Sequence, residues 1–403
     1  MVTRRPGTAA AGAENVLGGD PRPVFFAVDR PDALGLDGPR PGDGEAVRVW
    51  ARSLSGMQKE AIVCSTVGGA WRLASDEGPY LAGFDAAPCP LAFMTVGMVS
   101  SWMNAVLDAA RARGVTVRDL VLVQDNRYTM EGSALNGTMT GGALPVGLEV
   151  RIDTDAGDEA VRELVAVAVL GASVHDVLRR PHVSRFTLAV NGAEAQLGRA
   201  ARLDGGRAAD PAAAFSRIAP AAPAGVPVVR VEAVKPVAGV AGGAGTSLRA
   251  EQRRQLHLQA VCRRHPDGVK QIDQQLHSPL GSTFRFLSDE PREQGGRGAA
   301  PSAASYMAAG VAFCFMTQLG RYAAILGKDL HGYRIVQDAR FRGRSGPRGA
   351  SSSAGAAPVG PVAALPAGSA PPGAAGAGGT HVCPRPPPGG GLCPPGPGLG
   401  RAT

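Results

Sequence analysis

The sequence predicts an α+β fold that is built twice in one chain, and three observations predict it. An ungapped offset of 213 residues aligns positions 68–128 with 281–341, with 18 identities in 61 positions, which marks a duplicated unit. Each copy carries one long apolar helical run that opens at a proline. Around that run the first copy orders its strand-like and helix-like segments as β-β-β-α-β-β-α-β, an α+β pattern.

The offset is carried by short motifs. VQDNRY at 123–128 returns as VQDARF at 336–341, SDE at 75–77 returns at 288–290, and AAP at 86–88 returns at 299–301. Gly68, Arg72, Gly83, Met94, Gly97, Met103, Ala110 and Gly114 recur at the same spacing. Two repeats are too few for a solenoid, so the copies are expected to be the halves of an intrachain pseudo-dimer around two long central helices, with the chain a monomer.

Residues 1–45 read as a leader and 46–192 as the first unit. In that unit, Val- and Ile-rich runs with turn-rich flanks give strands near 47–51, 59–65 and 70–74. A helix over 88–112 follows, with Pro88 at its first position, where a missing N–H costs nothing. Strands near 119–125 and 146–152 come next; in GLEVRID, Leu148, Val150 and Ile152 alternate with charged residues and put one face on a core. GDEAVRELVAVAVL is a second helix with acids in its first turn, as the helix dipole favours, and RFTLAVNG closes the unit as a strand. Residues 193–245, rich in Ala, Pro and Gly, read as a linker with one strand in VPVVRVEAV. The second unit, 246–345, repeats the strands, a helix from Pro301 to 326 and a strand ending in VQDARF. Beyond it, 346–403 is Gly/Pro/Ala/Ser text without periodicity, and the second unit is incomplete. Sixty-four residues follow VQDNRY up to Gly192 and 62 follow VQDARF, so the tail has the length of the missing elements without their character. A disordered appendage and a reading frame lost near 342–346 both account for it.

Composition bounds the function. Five of the 42 Lys and Arg fall in 342–403, which has no acid, leaving 37 bases against 34 acids elsewhere. Without a basic stripe interleaved with aromatics, nucleic acid is not an expected partner. The N-terminus lacks the apolar core of a secretory signal, and the apolar run at 92–107 is short for a bilayer span. A cytoplasmic protein with no membrane partner is the expectation. The six cysteines show no CxxC or Cys/His spacing of a zinc site, so neither a metal nor a disulfide framework is expected.

The helix PSAASYMAAGVAFCFMTQLGRYAAIL, 301–326, is apolar or small around its first four turns, as a helix buried on most sides must be. Cys314 sits at its centre, and Ser101 is the aligned residue of the first copy. With that helix, its proline start, the strand order and a Gly 13 residues after each of these positions (Gly327 and Gly114), the chain resembles the OsmC/Ohr family of thiol-dependent peroxidases over roughly 47–192 and 260–345. Family members are intertwined dimers with two interface sites. The resemblance implies a reductase of organic hydroperoxides or a related electrophile in a stress response, with Cys314 as nucleophile, no bound cofactor and an external dithiol as reductant.

The sequence also departs from the family. The family's carboxylate position, ten residues before the cysteine, is Ala304 here and Leu91 in the first copy, which leaves Asp289 and Glu290 as the carboxylates expected at the mouth. A second thiol is unrecognisable: GASVHDVL at 171–178 has Ala172 or Ser173 at the position, and Cys383 and Cys393 lack the surrounding pattern. Ser101, Arg127, Arg340 and His175 are further expected binding residues. Against those roles, QD-x-R reads as an Asp/Arg pair on one strand face, His175 as a surface histidine, Arg321 as a capping or salt-bridging residue, and Cys64, Cys89 and Cys262 as packed thiols. The competing readings are an inactive OsmC-like protein that binds an apolar small molecule or serves a biosynthetic pathway, and a defective product whose second unit cannot close.

Overall fold

The computed structural model describes residues 13–40, 42, 44–67, 69–175, 182–205, 208–222, 225–235, 247–328, 330–342 and 361–365. Two mainly antiparallel sheets enclose two long helices, an α+β architecture. The first sheet runs Phe26–Ala27, Ala70–Ser75, Lys59–Ser65, Glu45–Ser53, Arg334–Phe341, Pro361–Leu365, Leu188–Val190, Ala193–Glu194. The second runs Val228–Glu232, Thr283–Ser288, Lys270–Ser278, Glu251–Arg264, Val117–Ser133, Thr140–Ala143, with Gly147–Thr154 also pairing Val117–Ser133.

The repeated motif strands sit where the sheets exchange chain. Arg334–Phe341, with VQDARF, pairs with Glu45–Ser53, and Val117–Ser133, with VQDNRY, pairs with Glu251–Arg264. The registers correspond: Val336 faces Trp50 and Val123 faces Val261. So do the hairpins, where Val49 faces Val63 and Ala260 faces Gln274. The strands ahead of the ungapped match are thus related by 211 residues, and a two-residue difference before position 68 ends the gapless similarity there. The tail residues 346–360 and 366–403 lie outside the described residues, while Pro361–Leu365 is a strand beside Arg334–Phe341.

Alternation gives the sheets their faces. Val47, Val49 and Ala51 of the first sheet, and Leu258, Ala260 and Cys262 of the second, point to the common core and are fully or almost fully buried. The outer face of the first sheet is covered too. Trp50, Ile62 and Val336 pack there against Phe26, Val28 and Leu36 of the leader and Phe215 and Ile218 of the stretch expected to be a linker. Buried Arg72 is clamped there between Glu60 at 2.8 Å and Asp20 at 2.9 Å.

The first central helix spans Pro90–Ala112 and the second Ala303–Ile325. Pro90, not Pro88, opens the first, because the Pro88 carbonyl is taken by Ser75 Oγ at 2.9 Å and the Asp76 N–H at 3.3 Å. In the second helix Ser302 is the cap, accepting from the Ser305 N–H at 3.1 Å, and Pro301 lies outside it. Both helices are longer than the apolar run read from the sequence and long enough to cross a bilayer, and most of each is covered by protein. They cross at their glycines. A Cβ on Gly97 would lie 2.7 Å from the Ala303 carbonyl oxygen and 2.8 Å from the Met307 nitrogen, and one on Gly310 would lie 2.7 Å from the Met94 nitrogen. Phe93 packs edge-on against Phe313 at 5.3 Å and Phe286 at 5.4 Å beside that crossing.

The paired strands also correct the reading of QD-x-R. Asp338 takes a bidentate pair from Arg48 on the neighbouring strand, at 2.6 and 2.7 Å, while Arg340 donates to the Arg40 carbonyl. Asp125 accepts from His257 at 2.6 Å and Gln259 at 3.2 Å, not from Arg127. Cross-strand distance is shorter than the i, i+2 distance along one strand, so the partners come from opposite strands.

Because the obstruction at Gly97 is backbone, Gly97→Ala and Gly310→Ala are each expected to cost about 1–3 kcal/mol of stability. Urea unfolding checks this.

Candidate functional site

Cys314 lies at the middle of the second central helix, where that helix meets strands of the first unit. It retains some solvent exposure, and its neighbours are buried. Thr317, one turn on, donates to Glu77 Oε1 at 3.0 Å, and Tyr80 donates to Glu77 Oε2 at 2.6 Å. Lys59 enters from the Lys59–Ser65 strand, and its ammonium donates to the Met57 carbonyl. Cys89, at the cap of the first central helix, and Tyr128 complete the surround.

Burial governs the protonation of this group. It pushes the Cys314 thiol up to about 11; Glu77 adds to the rise, and Lys59 and Arg254 oppose it. Burial raises Glu77, with Lys59, Tyr80 and Thr317 drawing it back, and lowers Lys59, with Glu77 and Asp76 drawing it back. The resting sulfur is a thiol, held between a base and a cation.

A counterpart stands at the corresponding positions of the other half. Ser101 replaces Cys314 and is buried; Glu290 replaces Glu77, Lys270 replaces Lys59, and Asn104 replaces Thr317. There Lys270 donates to Glu290 at 3.1 Å and to Asn104 at 2.8 Å, and Asn104 donates to Glu290 at 2.7 Å. Ser302, aligned with Cys89, donates to Glu45 at 2.6 Å. Burial and the nearby Glu290 raise the Glu45 carboxyl. This centre is a closed hydrogen-bonded network without a thiol.

Glu290 therefore belongs to the Ser101 centre, and the carboxylate that faces Cys314 is Glu77. Exchange of strands between the halves brings each half's carboxylate to the other half's helix. Asp289 is a turn builder: its Oδ2 accepts from the N–H groups of Arg297 at 3.1 Å and Ala299 at 3.0 Å, as Asp76 does from Phe84 and Ala86. Arg127 and Arg340 lie on the sheets, the first opposite His257. His175 is not a surface group; its ring meets Trp102 edge-on at 5.1 Å, and Nδ1 lies 3.1 Å from the Val169 carbonyl oxygen. Among the described residues Arg321 forms no ion pair, and it is almost fully buried. Cys64 and Cys262 are buried in the two sheets, each pushed up to about 12 by desolvation.

The sequence held one signal for the missed lysines. Only four lysines occur in this Arg-rich chain, and two of them, Lys59 and Lys270, fall at equivalent places in apolar strands. They are separated by 211 residues, so the 213 register hid the match.

No protein-family model matches the sequence, and no curated protein matches it. Among solved structures, the chain is similar to an OsmC-like hydroperoxide resistance protein from Jannaschia sp. CCS1, with 21% identity and a TM-score of 0.25, over 38% of this chain and 100% of that one.

Two outcomes follow from the two centres. Alkylation of Cys314 by iodoacetamide should accelerate with pH up to about 11, well above the range of a free thiol. Glu77→Gln should move that midpoint down, and Lys59→Met should move it up. At the other centre, Lys270→Met leaves the Glu290 carboxylate buried without its cation and should cost about 3–5 kcal/mol in a urea titration.

Proposed function

We propose that the chain is a tandem OsmC-like protein, a single-chain pseudo-dimer, that reduces organic hydroperoxides at one thiol centre, Cys314. One observation carries the reading: the one thiol at a central-helix midpoint lies among a buried cation, Lys59, and a buried carboxylate, Glu77, while the matching centre has Ser101. The strand exchange between the halves supports the pseudo-dimer, since each sheet needs a strand from both.

In the proposed step the Cys314 sulfur attacks the distal oxygen of ROOH. An S–O bond forms and the O–O bond breaks, the sulfur is oxidised to a sulfenic acid, and the peroxide is reduced to ROH. The thiol proton passes through Glu77 to the leaving alkoxide. With the thiol at about 11, little thiolate exists at neutral pH, so the site works by supplying the base and stabilising charge as the sulfur ionises. Lys59 provides the stabilising charge. An external dithiol then condenses with the sulfenic acid, releasing water, and returns the thiol as the dithiol becomes a disulfide.

Cys314→Ser should abolish consumption of cumene hydroperoxide with dithiothreitol as reductant. Dimedone should label Cys314, and no other cysteine, after one equivalent of peroxide. Unchanged turnover in Cys314→Ser would overturn the assignment; no turnover by the unaltered protein would favour a ligand-binding, non-catalytic role.

A further inference from the structure

We propose that Arg254 and Arg321 form a carboxylate-binding subsite beside Cys314, so that the electrophile reduced there is an organic hydroperoxide whose apolar body ends in a carboxylate. This rests on the peroxidase reading above and adds the substrate class to it.

Both guanidinium groups are buried, with exposures of 5% and 2%, and neither has an acidic partner among the described residues. Buried charges without counter-charge are strongly unfavourable, so a pair of them implies an anion that is bound in use. Arg321 donates from Nε to the Ser247 carbonyl at 2.7 Å, from Nη1 to Gln318 at 3.1 Å and to the Met130 thioether, and from Nη2 to the Met139 thioether at 3.5 Å. Arg254 donates from Nη1 to Ser247 Oγ and from Nη2 to the Met130 thioether at 3.5 Å, and its buried Nε has no partner. Thioethers are weak acceptors, which a carboxylate would outcompete. Burial, then mutual repulsion, lowers Arg321 to about 9.

The charge count agrees. Around Cys314 the buried cations are Lys59, Arg254 and Arg321, and the buried acids are Glu77 and Asp76, which leaves one positive charge for a singly charged anion to balance. Arg321 stands two turns beyond Cys314, about 10 Å along the helix axis, so a ligand that spans both has an apolar chain between its peroxide and its carboxylate. Met130 and Met139 are half-buried, placing the pair one side chain beneath the surface, behind groups that adapt to apolar ligands. The Ser101 centre has no such feature: Asp108 occupies the position of Arg321 and is exposed.

The test compares a fatty-acid hydroperoxide with its methyl ester, and measures decanoate against decanol binding by thermal shift. The unaltered protein should favour the acid by at least about 10-fold in kcat/KM, as a charge-assisted pair requires. Arg254→Met and Arg321→Met should bring that ratio towards 1 and remove the decanoate-induced rise in Tm. Equal turnover of acid and ester, or equal shifts by decanoate and decanol in the unaltered protein, would overturn the subsite; these two comparisons need no variant to fold. If no hydroperoxide is consumed while decanoate binding is lost in the variants, the subsite stands and the peroxidase reading fails.

Discussion

The close crossing of the two central helices is the constraint on which the rest of the structure depends. With glycine at 97 and 310, each helix backbone comes within reach of the other, and the contact points are carbonyls and amides that cannot move aside. At that separation the strand following each helix is carried over to the opposite sheet, where it pairs with the other half. Val336 opposite Trp50 and Val123 opposite Val261 are the two results. Neither sheet is complete within one half, so the halves fold as a unit.

The same crossing makes each polar centre a joint product. The helix of one half supplies the residue at the cysteine position and its neighbour one turn on, and the other half supplies the lysine and the carboxylate. Thr317 with Glu77, and Asn104 with Glu290, are matching contacts across the interface. From this shared frame the centres have diverged in charge. The Ser101 centre pairs Lys270 with Glu290 directly and leaves no need for a further ion. At Cys314, Lys59 turns to a backbone carbonyl and two arginines are added without acids to match. Buried networks are costly when half satisfied, which is why the second arrangement suits binding and chemistry and the first suits stability.

The surroundings extend this division. The first sheet is covered on its outer face by Phe26, Val28, Phe215 and Ile218, drawn from stretches whose Ala, Pro and Gly content reads as leader and linker. Composition hides such segments because a few large side chains suffice to anchor them. The second sheet leaves its outer face to His257, Gln259 and Asp125, polar groups bonded across the strands.

The sequence by itself determined the duplication, the two central helices, the strand content of the first unit and the thiol that occurs in one copy alone. These are local or periodic properties, written in the spacing of residues within a segment or between segments. It did not determine which carboxylate meets Cys314. Glu290, close to it in the chain, lies at the other centre, and Glu77, 237 positions away, is the one that faces it. Nor did it show Lys59, Arg254 or the burial of Arg321, since each is defined by neighbours from distant strands. Only the tertiary structure decided these, because the helix crossing exchanges strands between halves, and pairing across that exchange has no signature in the order of residues along the chain.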